Sequence, residues 1–437
     1  MKSQSKDAVA TANDQDGAQG TLQKTESWWA GPVVAGLTVF AAFFLISLLK
    51  IGSFTQDESE YHYPNLLNFY ENGWAAIFNE RYAAANTPLP YLLVAILAKV
   101  FGPSLFFARL TTVIVSYLTF LVAKKLLTTS GASPFSVFAV VLFPYFFVNS
   151  FVFYAVNFGV FFLLAGLLVL QRAPFARSAN LLAGSLLAAA VLCQQFYLVV
   201  PAAVLLHRWW EFQRPPAGQP RVRFADLVAS SALLCLPLVV PMALFVAWGG
   251  LTHVNFRVHM VKFSPTNITG ILFVIGFYFL PCLVQWRDRI RATHALTALA
   301  VALALVGLFR PAYSDIQGEG IFTGLVLHLV NIVQTRQATA AFALLVALVT
   351  AGLLTIWLIQ QSLRGSLERM LFVIAMVLTV PYWMNTQIGE RHLLGLMVLL
   401  FLLVLPKLRP AQAVVYNAYV GGLGIAYFFY WMFVKFG

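Results

Sequence analysis

The stretch Thr55–Pro90 reads TQDESEYHYPNLLNFYENGWAAIFNERYAAANTPLP. It is the long polar interruption in the first hundred residues of an otherwise apolar chain. Asp57, Glu58 and Glu60 come almost together, followed by His62, Pro64, Trp74 and Arg81. Directly before it, Trp28 to Leu49 forms an apolar run, long enough for the roughly 20 residues that a bilayer crossing needs. A polar, acidic segment placed there is a loop at a membrane surface, and the rest of the chain reads as its scaffold.

Composition supports that scaffold. Of 437 residues, 60% are hydrophobic and 10% charged, with a mean hydropathy of +0.80. A soluble domain carries about 25% charged residues. The apolar segments are continuous rather than alternating, so they predict helices and not a β-barrel. The expected fold class is all-α, a polytopic transmembrane helical bundle of about 13 spans by hydropathy. After the first run, the spans are 104–127, 135–150, 157–171, 179–193, 195–207, 225–248, 269–285, 293–309, 337–360, 370–385, 392–406 and 412–434. Residues 1–28 read as a disordered cytoplasmic tail rather than a secretory signal, because the run after them is too long for one. Residues 29–437 form a single transmembrane domain, with 52–103 as a long first external loop carrying short interface helices; Pro88–Phe101 is too short for a crossing.

The net charge of +12 does not imply nucleic acid. Lys124 and Lys125, Arg172 and Arg177, Arg208 to Arg223, Arg287 to Arg291, Arg364 and Arg369, and Lys407 and Arg409 fall in alternate short loops, which makes those loops cytoplasmic. The acidic loop and the segments 249–268, 310–336 and 385–391 then share the opposite side. Cys193, Cys235 and Cys282 lie in or beside apolar spans with no CxxC pair, and read as buried thiols.

Three constellations carry chemistry. Asp57 and Glu58 stand at the end of a span, where lost solvation would raise a carboxyl's pKa and suit it to take a proton from a hydroxyl; a solvated loop with a helix cap at Asp57 is the plainer alternative. His253, Arg257, His259 and Lys262 break the positive-inside pattern on the external side and suit a phosphate headgroup. Glu390, Arg391 and His392 end the last external segment, and Arg391 could pair with phosphate or anchor the helix. Gln194 and Gln195 interrupt an apolar run on the same side and could bond a sugar or each other. The loop holding Arg310, Asp315, Glu319, His328 and Arg336 could cover the site, and Asn267-Ile-Thr269 matches a glycosylation sequon. There is no GxxxxGK[ST] phosphate loop, no large soluble domain, and charges lie at span ends rather than at mid-span. That argues against a pump or a secondary transporter.

The pattern resembles the GT-C superfamily of integral-membrane glycosyltransferases, which take sugar from a polyprenyl-phosphate carrier and use an acidic motif in the first external loop. The residues carrying the likeness are QDESEYHYP and NTPLPYLL, the later HVNFRVHMVKFSP, and GERHLLGLMVLL. Within the superfamily they are most similar to the dolichyl-phosphate-glucose α-1,2-glucosyltransferase family of the endoplasmic reticulum, through Asp57-Glu58, His62-x-Pro64 and Thr87-Pro88-x-Pro90. The Asp57 to His62 spacing is one residue longer than in that family, an ungapped match would place the acids at Glu58 and Glu60, and His392 replaces an aromatic residue.

The resemblance implies an inverting transfer of a hexose, such as glucose, from a polyprenyl or dolichyl phosphate to a hydroxyl on a glycan or lipid-linked acceptor. Asp57 is the implied base, with Glu58 as the alternative. Arg257, His259, Lys262 and Arg391 are implied at the donor phosphate, and Glu60, His62, His253, Gln194, Gln195 and Glu390 at the substrates. No residue is assigned as a metal ligand, although Mg or Mn could assist. The expected setting is a bacterial inner membrane with a periplasmic site, or the endoplasmic reticulum membrane with a lumenal one. The competing readings are a lipid or polysaccharide transporter and a non-catalytic membrane scaffold.

Overall fold

The computed structural model describes residues 31–49, 55, 57–82, 84, 86–215, 222–253, 255, 265–286, 290–309, 321–323, 337–362, 365–383 and 387–435. The proposed tail 1–28 and the site candidates Arg257, His259 and Lys262 lie outside the described residues, as do Arg310, Asp315, Glu319, His328 and Arg336.

The described chain is the helical bundle that the hydropathy predicts. Among the described residues, eight helices are long and apolar enough to cross a membrane: Gly31–Leu49, Leu105–Thr129, Ala155–Arg172, Phe224–Trp248, Thr266–Leu283, Phe342–Gln361, Ser366–Trp383 and Pro410–Val434. The protein is a multi-pass integral membrane protein. Two three-residue strands, Ile321–Thr323 and Gln387–Gly389, pair in parallel and tie part of the 310–336 loop to the segment that leads into Arg391.

The count of eight, against about 13 hydropathic segments, has a physical cause. Segment 135–150 splits into Val137–Val141 and Pro144–Asn149. Pro144 has no N–H to continue the ladder and suits the first turn of the second helix. The next pair forms Arg177–Val191 and Val199–Gln213, of 15 residues each. Each is about 22 Å long at 1.5 Å per residue, short of the ~30 Å hydrocarbon core. Segment 293–309 forms Ala292–Leu308, of 17 residues and also shorter than the eight. Leu394–Val404 has 11 residues, all buried, and is apolar all round because no face of it meets solvent.

Small residues let the long helices touch. A Cβ on Gly276 would stand 1.7 Å from the Ala347 carbonyl oxygen, and one on Gly424 1.8 Å from that of Leu142. Such close backbone approach replaces the hydrophobic drive that lipid does not supply. Aromatic rings close the bundle: Phe43, on the first helix, lies 4.7 Å from Phe147 and 4.9 Å from Phe428 by ring centroids. The first and last crossings therefore pack together.

Loops assigned to one side by their Lys and Arg content do meet. Arg369 bonds Glu211 at 3.1 Å, and Lys407 bonds Glu368 at 2.5 Å. These partners all sit in or beside the loops read as cytoplasmic.

Candidate active site

The acidic stretch folds because Thr55 and Glu58 cap each other. The Glu58 N–H donates to Thr55 Oγ1 at 3.3 Å, and the Thr55 N–H donates to Glu58 Oε2 at 3.0 Å. That reciprocal pair is a capping box, for which Thr-x-x-Glu is the sequence signature. A π-helical turn, Glu58–His62, follows and leads into the helix Tyr63–Asn72, with Pro64 near its start.

The three acids are sorted by this turn. Glu58 is fully buried, and four donors fill its carboxylate. Arg109 gives Nε to Oε1 at 2.9 Å and Nη2 to Oε2 at 2.6 Å, the Phe153 N–H gives to Oε1 at 2.8 Å, and the Thr55 N–H completes the set. Asp57, one position earlier, points elsewhere. Its Oδ2 accepts from the Tyr154 hydroxyl and from Arg391 Nη1. Arg391 Nη1 and Tyr154 Oη are themselves 3.0 Å apart, and the guanidinium lies 5.5 Å from the Tyr154 ring centre. Among the described residues, Asp57 Oδ1 takes neither contact. Glu60 is exposed.

The expected rise in the carboxyl pKa does not occur at Asp57. Burial pushes it up, but the charge of Arg391 and the hydrogen bonds from Tyr154 and Arg391 outweigh that and bring it down to about 2. Burial likewise opposes the charge on Arg391, yet Tyr154 and Asp57 hold its guanidinium above the usual range. Asp57 is thus a carboxylate at any physiological pH.

His62 and His392 are the neutral members. Burial lowers His62 to about 4 against the pull of Asp57. Its Nδ1 is 2.9 Å from Tyr91 Oη, and its ring is 4.6 Å from that of Tyr154. Burial and the adjacent Arg391 lower His392 to about 3.

Further elements close over this centre. Thr87 Oγ1 donates to the Val191 carbonyl at 2.8 Å, and the Leu89 N–H to that of Leu192 at 2.9 Å, so the Thr-Pro-Leu-Pro segment seats on the turn between the two short helices. Gln194, in that turn, is buried with neither amide atom bonded among the described residues, while Gln195 is half-buried. Phe196 packs 5.2 Å from Tyr382 and 6.2 Å from His392. His253 is buried between Tyr82 and Trp248, at 5.4 and 5.6 Å. Trp248 Nε1 donates to the Ile77 carbonyl at 3.1 Å, and Asn255 Nδ2 to that of Glu80 at 2.6 Å. The start of the 249–268 loop thus folds onto the first external loop. Glu390 opens the short helix that carries Arg391. Asn267 of the sequon is buried, and its amide donates to the Tyr382 carbonyl at 3.2 Å, a poor position for a glycan.

No family model matches the chain. Nor does any curated protein. Two solved structures align with this chain. The crystal structure of ArnT from Cupriavidus metallidurans bound to undecaprenyl phosphate aligns with a TM-score of 0.44 at 15% identity, covering 90% of this chain and 77% of that one. The apo state of the same protein aligns at 0.41 and 16%, covering 91% and 77%. A likeness at that level says nothing about individual side chains.

Arg109, Phe153, Tyr154 and Tyr91 are site residues that the sequence did not single out. Arg109 had a legible signal, since it is an ionisable residue within the apolar run LFFARLTTVIV. Phe153 contributes only a backbone N–H. Among the described residues, no group of three His, Cys, Asp or Glu side chains gathers to hold a metal ion.

Proposed function

We propose that this protein is a membrane glycosyltransferase that moves a sugar from a polyprenyl-phosphate donor to a hydroxyl acceptor at the external membrane face, with inversion. The observation that carries the reading is the contact of Asp57 with Arg391 across 334 positions of chain. It sets a permanent carboxylate, with one oxygen outside both contacts among the described residues, beside a permanent cation. This reaction needs those two parts: an acceptor for the hydroxyl proton and a stabiliser for a departing phosphate.

In the step, the acceptor O–H gives its proton to Asp57 Oδ1. The acceptor oxygen forms a bond to the anomeric carbon from the face opposite the phosphate. The bond from that carbon to the phosphate oxygen breaks, and its electron pair leaves on polyprenyl phosphate. The leaving group is already a stable anion, so it requires no general acid. Arg391 neutralises its growing charge, and Tyr154 can donate a hydrogen bond to it. Arg257, His259 and Lys262 are further candidates for the phosphate, and Gln194, Gln195, His253, Glu60 and Glu390 for the sugar and acceptor. Glu58, with its carboxylate filled, serves better as an anchor than as the base.

The resemblance of the first-loop motif to glucosyltransferases that use dolichyl-phosphate glucose supports a hexose, with glucose as the first to try. We place the protein in a bacterial inner membrane with the site facing the periplasm. The test is release of polyprenyl phosphate by the purified protein in lipid, given a panel of polyprenyl-phosphate sugars and acceptors. Wild type should release it with at least one sugar, and Asp57→Asn should not. Equal release by both would move the base away from Asp57. Added EDTA, followed by Mg or Mn, reads metal dependence in the same assay. If no donor is consumed, the transporter and scaffold readings take over.

A further inference from the structure

The ion pair at the centre of the site joins the two groups that the reaction needs apart. A base bound to a guanidinium is a weak base, and a guanidinium bound to a carboxylate is a poor phosphate receptor. We propose that the donor phosphate and the Asp57 carboxylate compete for Arg391 and Tyr154, so that Asp57 occupies the phosphate site until a donor arrives. This inference rests on the polyprenyl-phosphate reading above.

The geometry supports competition in three ways. First, Arg391 Nη1 and Tyr154 Oη both address the same atom, Asp57 Oδ2, and lie 3.0 Å from each other. Two donors converging on one oxygen make an anion site, and a phosphate oxygen has the same demand as a carboxylate oxygen. Second, Arg391 Nε and Nη2 have no partner among the described residues, and the side chain is partly exposed. An incoming phosphate can take that open edge before it draws Nη1 away. Third, charge is balanced in the resting site. Arg109 is committed to Glu58 through two bonds, and burial keeps His62 and His392 neutral. A phosphate therefore brings negative charge to a place where Arg391 is the one described cation on Asp57.

The consequence is a coupling between binding and chemistry. A phosphate on Arg391 removes the charge that suppresses Asp57 as a base, so the carboxylate becomes effective only when there is a donor to attack. Without a donor, the pair is closed and the site holds no active base. Tyr154 takes part on both sides, as a donor to the carboxylate at rest and to the phosphate after the exchange.

Competition makes a prediction that a simple base does not. Removing the charge of Asp57 should tighten the binding of the anion, even though it stops transfer. The probe is a polyprenyl phosphate without sugar, titrated into the full-length protein in nanodiscs, for wild type, Asp57→Asn, Arg391→Gln and the double variant. An opposite charge at this range is worth roughly 1–3 pKa units to its partner, so Asp57→Asn should bind about tenfold more tightly or better. Arg391→Gln should bind more weakly than wild type, and the double variant should bind no more tightly than Arg391→Gln alone. Asp57→Ala serves as a second probe should the amide form a new bond to Arg391. Wild-type binding with no gain in Asp57→Asn and Asp57→Ala overturns the competition and leaves the donor reading standing. A gain that survives in the double variant also overturns it, because Arg391 would then not be the shared group. If none of the four proteins binds the probe, the donor reading falls and takes this inference with it.

Discussion

Asp57 and Glu58 are neighbours in the chain, each paired with an arginine, and their environments divide them. The Glu58–Arg109 side chains are 0% and 2% exposed, and the Asp57–Arg391 side chains 28% and 38%. Every Glu58 oxygen has two donors, one of them a backbone N–H on each side. Asp57 has two donors on one oxygen. A fully satisfied buried pair cannot give up a partner without leaving a charge stranded in low dielectric. A half-satisfied pair at the surface can. On the proposed function, adjacent acids of one motif divide into an anchor and a working group, and the π-helical turn beginning at Glu58 accompanies that divergence.

The largest expected effect tests that division directly. Asp57→Asn should lower turnover by about 10²–10⁴, the range for loss of a positioned acid or base, while costing less thermal stability in detergent than Glu58→Ala does. Glu58→Ala should do the reverse in kind, lowering stability first and turnover through it. The comparison breaks if Glu58→Ala melts like wild type and yet loses turnover as Asp57→Asn does.

Next comes the buried pair itself. Arg109→Met or Glu58→Ala alone strands one charge and should cost about 3–5 kcal/mol. The double variant should recover much of that loss, because no unpaired charge remains. Unfolding followed by tryptophan fluorescence in a fixed detergent reads it. Additive losses would mean that the two residues hold separate parts of the fold.

Acid should separate the groups by window. His62 is lowered in the folded protein from 6.5 to about 4, so the unfolded chain takes its proton first. Stability then falls as pH drops from about 6.5 to 4, by up to ~3 kcal/mol from this group, and no further below. Asp57 is lowered from 3.8 to about 2; its contribution is intact above pH 4 and is lost between about 4 and 2. His62→Gln should flatten the upper window and leave the lower one in place. Melting temperatures across pH 7 to 2 decide this, and an unchanged slope in His62→Gln would remove His62 as the cause.

Much of this site was legible, and the illegible part has definite causes. Asp57, Glu58, His62 and Arg391 stand out as charges or polar groups in apolar surroundings. The Lys and Arg distribution placed the first and last external segments on one side. Their contact joins residues 334 positions apart, which no local pattern encodes. Tyr154 is one of 16 tyrosines, with nothing in its spacing to mark it. The Phe153 N–H is invisible in any sequence, since every residue but proline has one. Hydropathy gives more segments than the eight described helices of crossing length because it weighs composition and not continuity: it reads through Pro144, and it cannot tell a buried 11-residue helix from a lipid-facing one. The direction of the Asp57 shift was missed for the same reason as the contact, because desolvation follows from position at a span end, whereas the opposing charge comes from the far end of the chain.

The smallest effect comes from a third acid–arginine pair on the same external segment, Glu71 with Arg81, and it sharpens the comparison from its other end. Their atoms are 3.5 Å apart, and the side chains are 57% and 71% exposed. Water screens both charges, and holding two long side chains in place costs entropy that the contact barely offsets. Arg81→Ala should change stability by under about 0.5 kcal/mol and leave turnover within experimental scatter. The three pairs then form a series in which chemistry is constant and burial varies, with structural, catalytic and negligible roles in turn. A marked loss of turnover in Arg81→Ala would break the series, because it would mean that Arg81 meets substrate, a role its exposure permits and its partner does not explain.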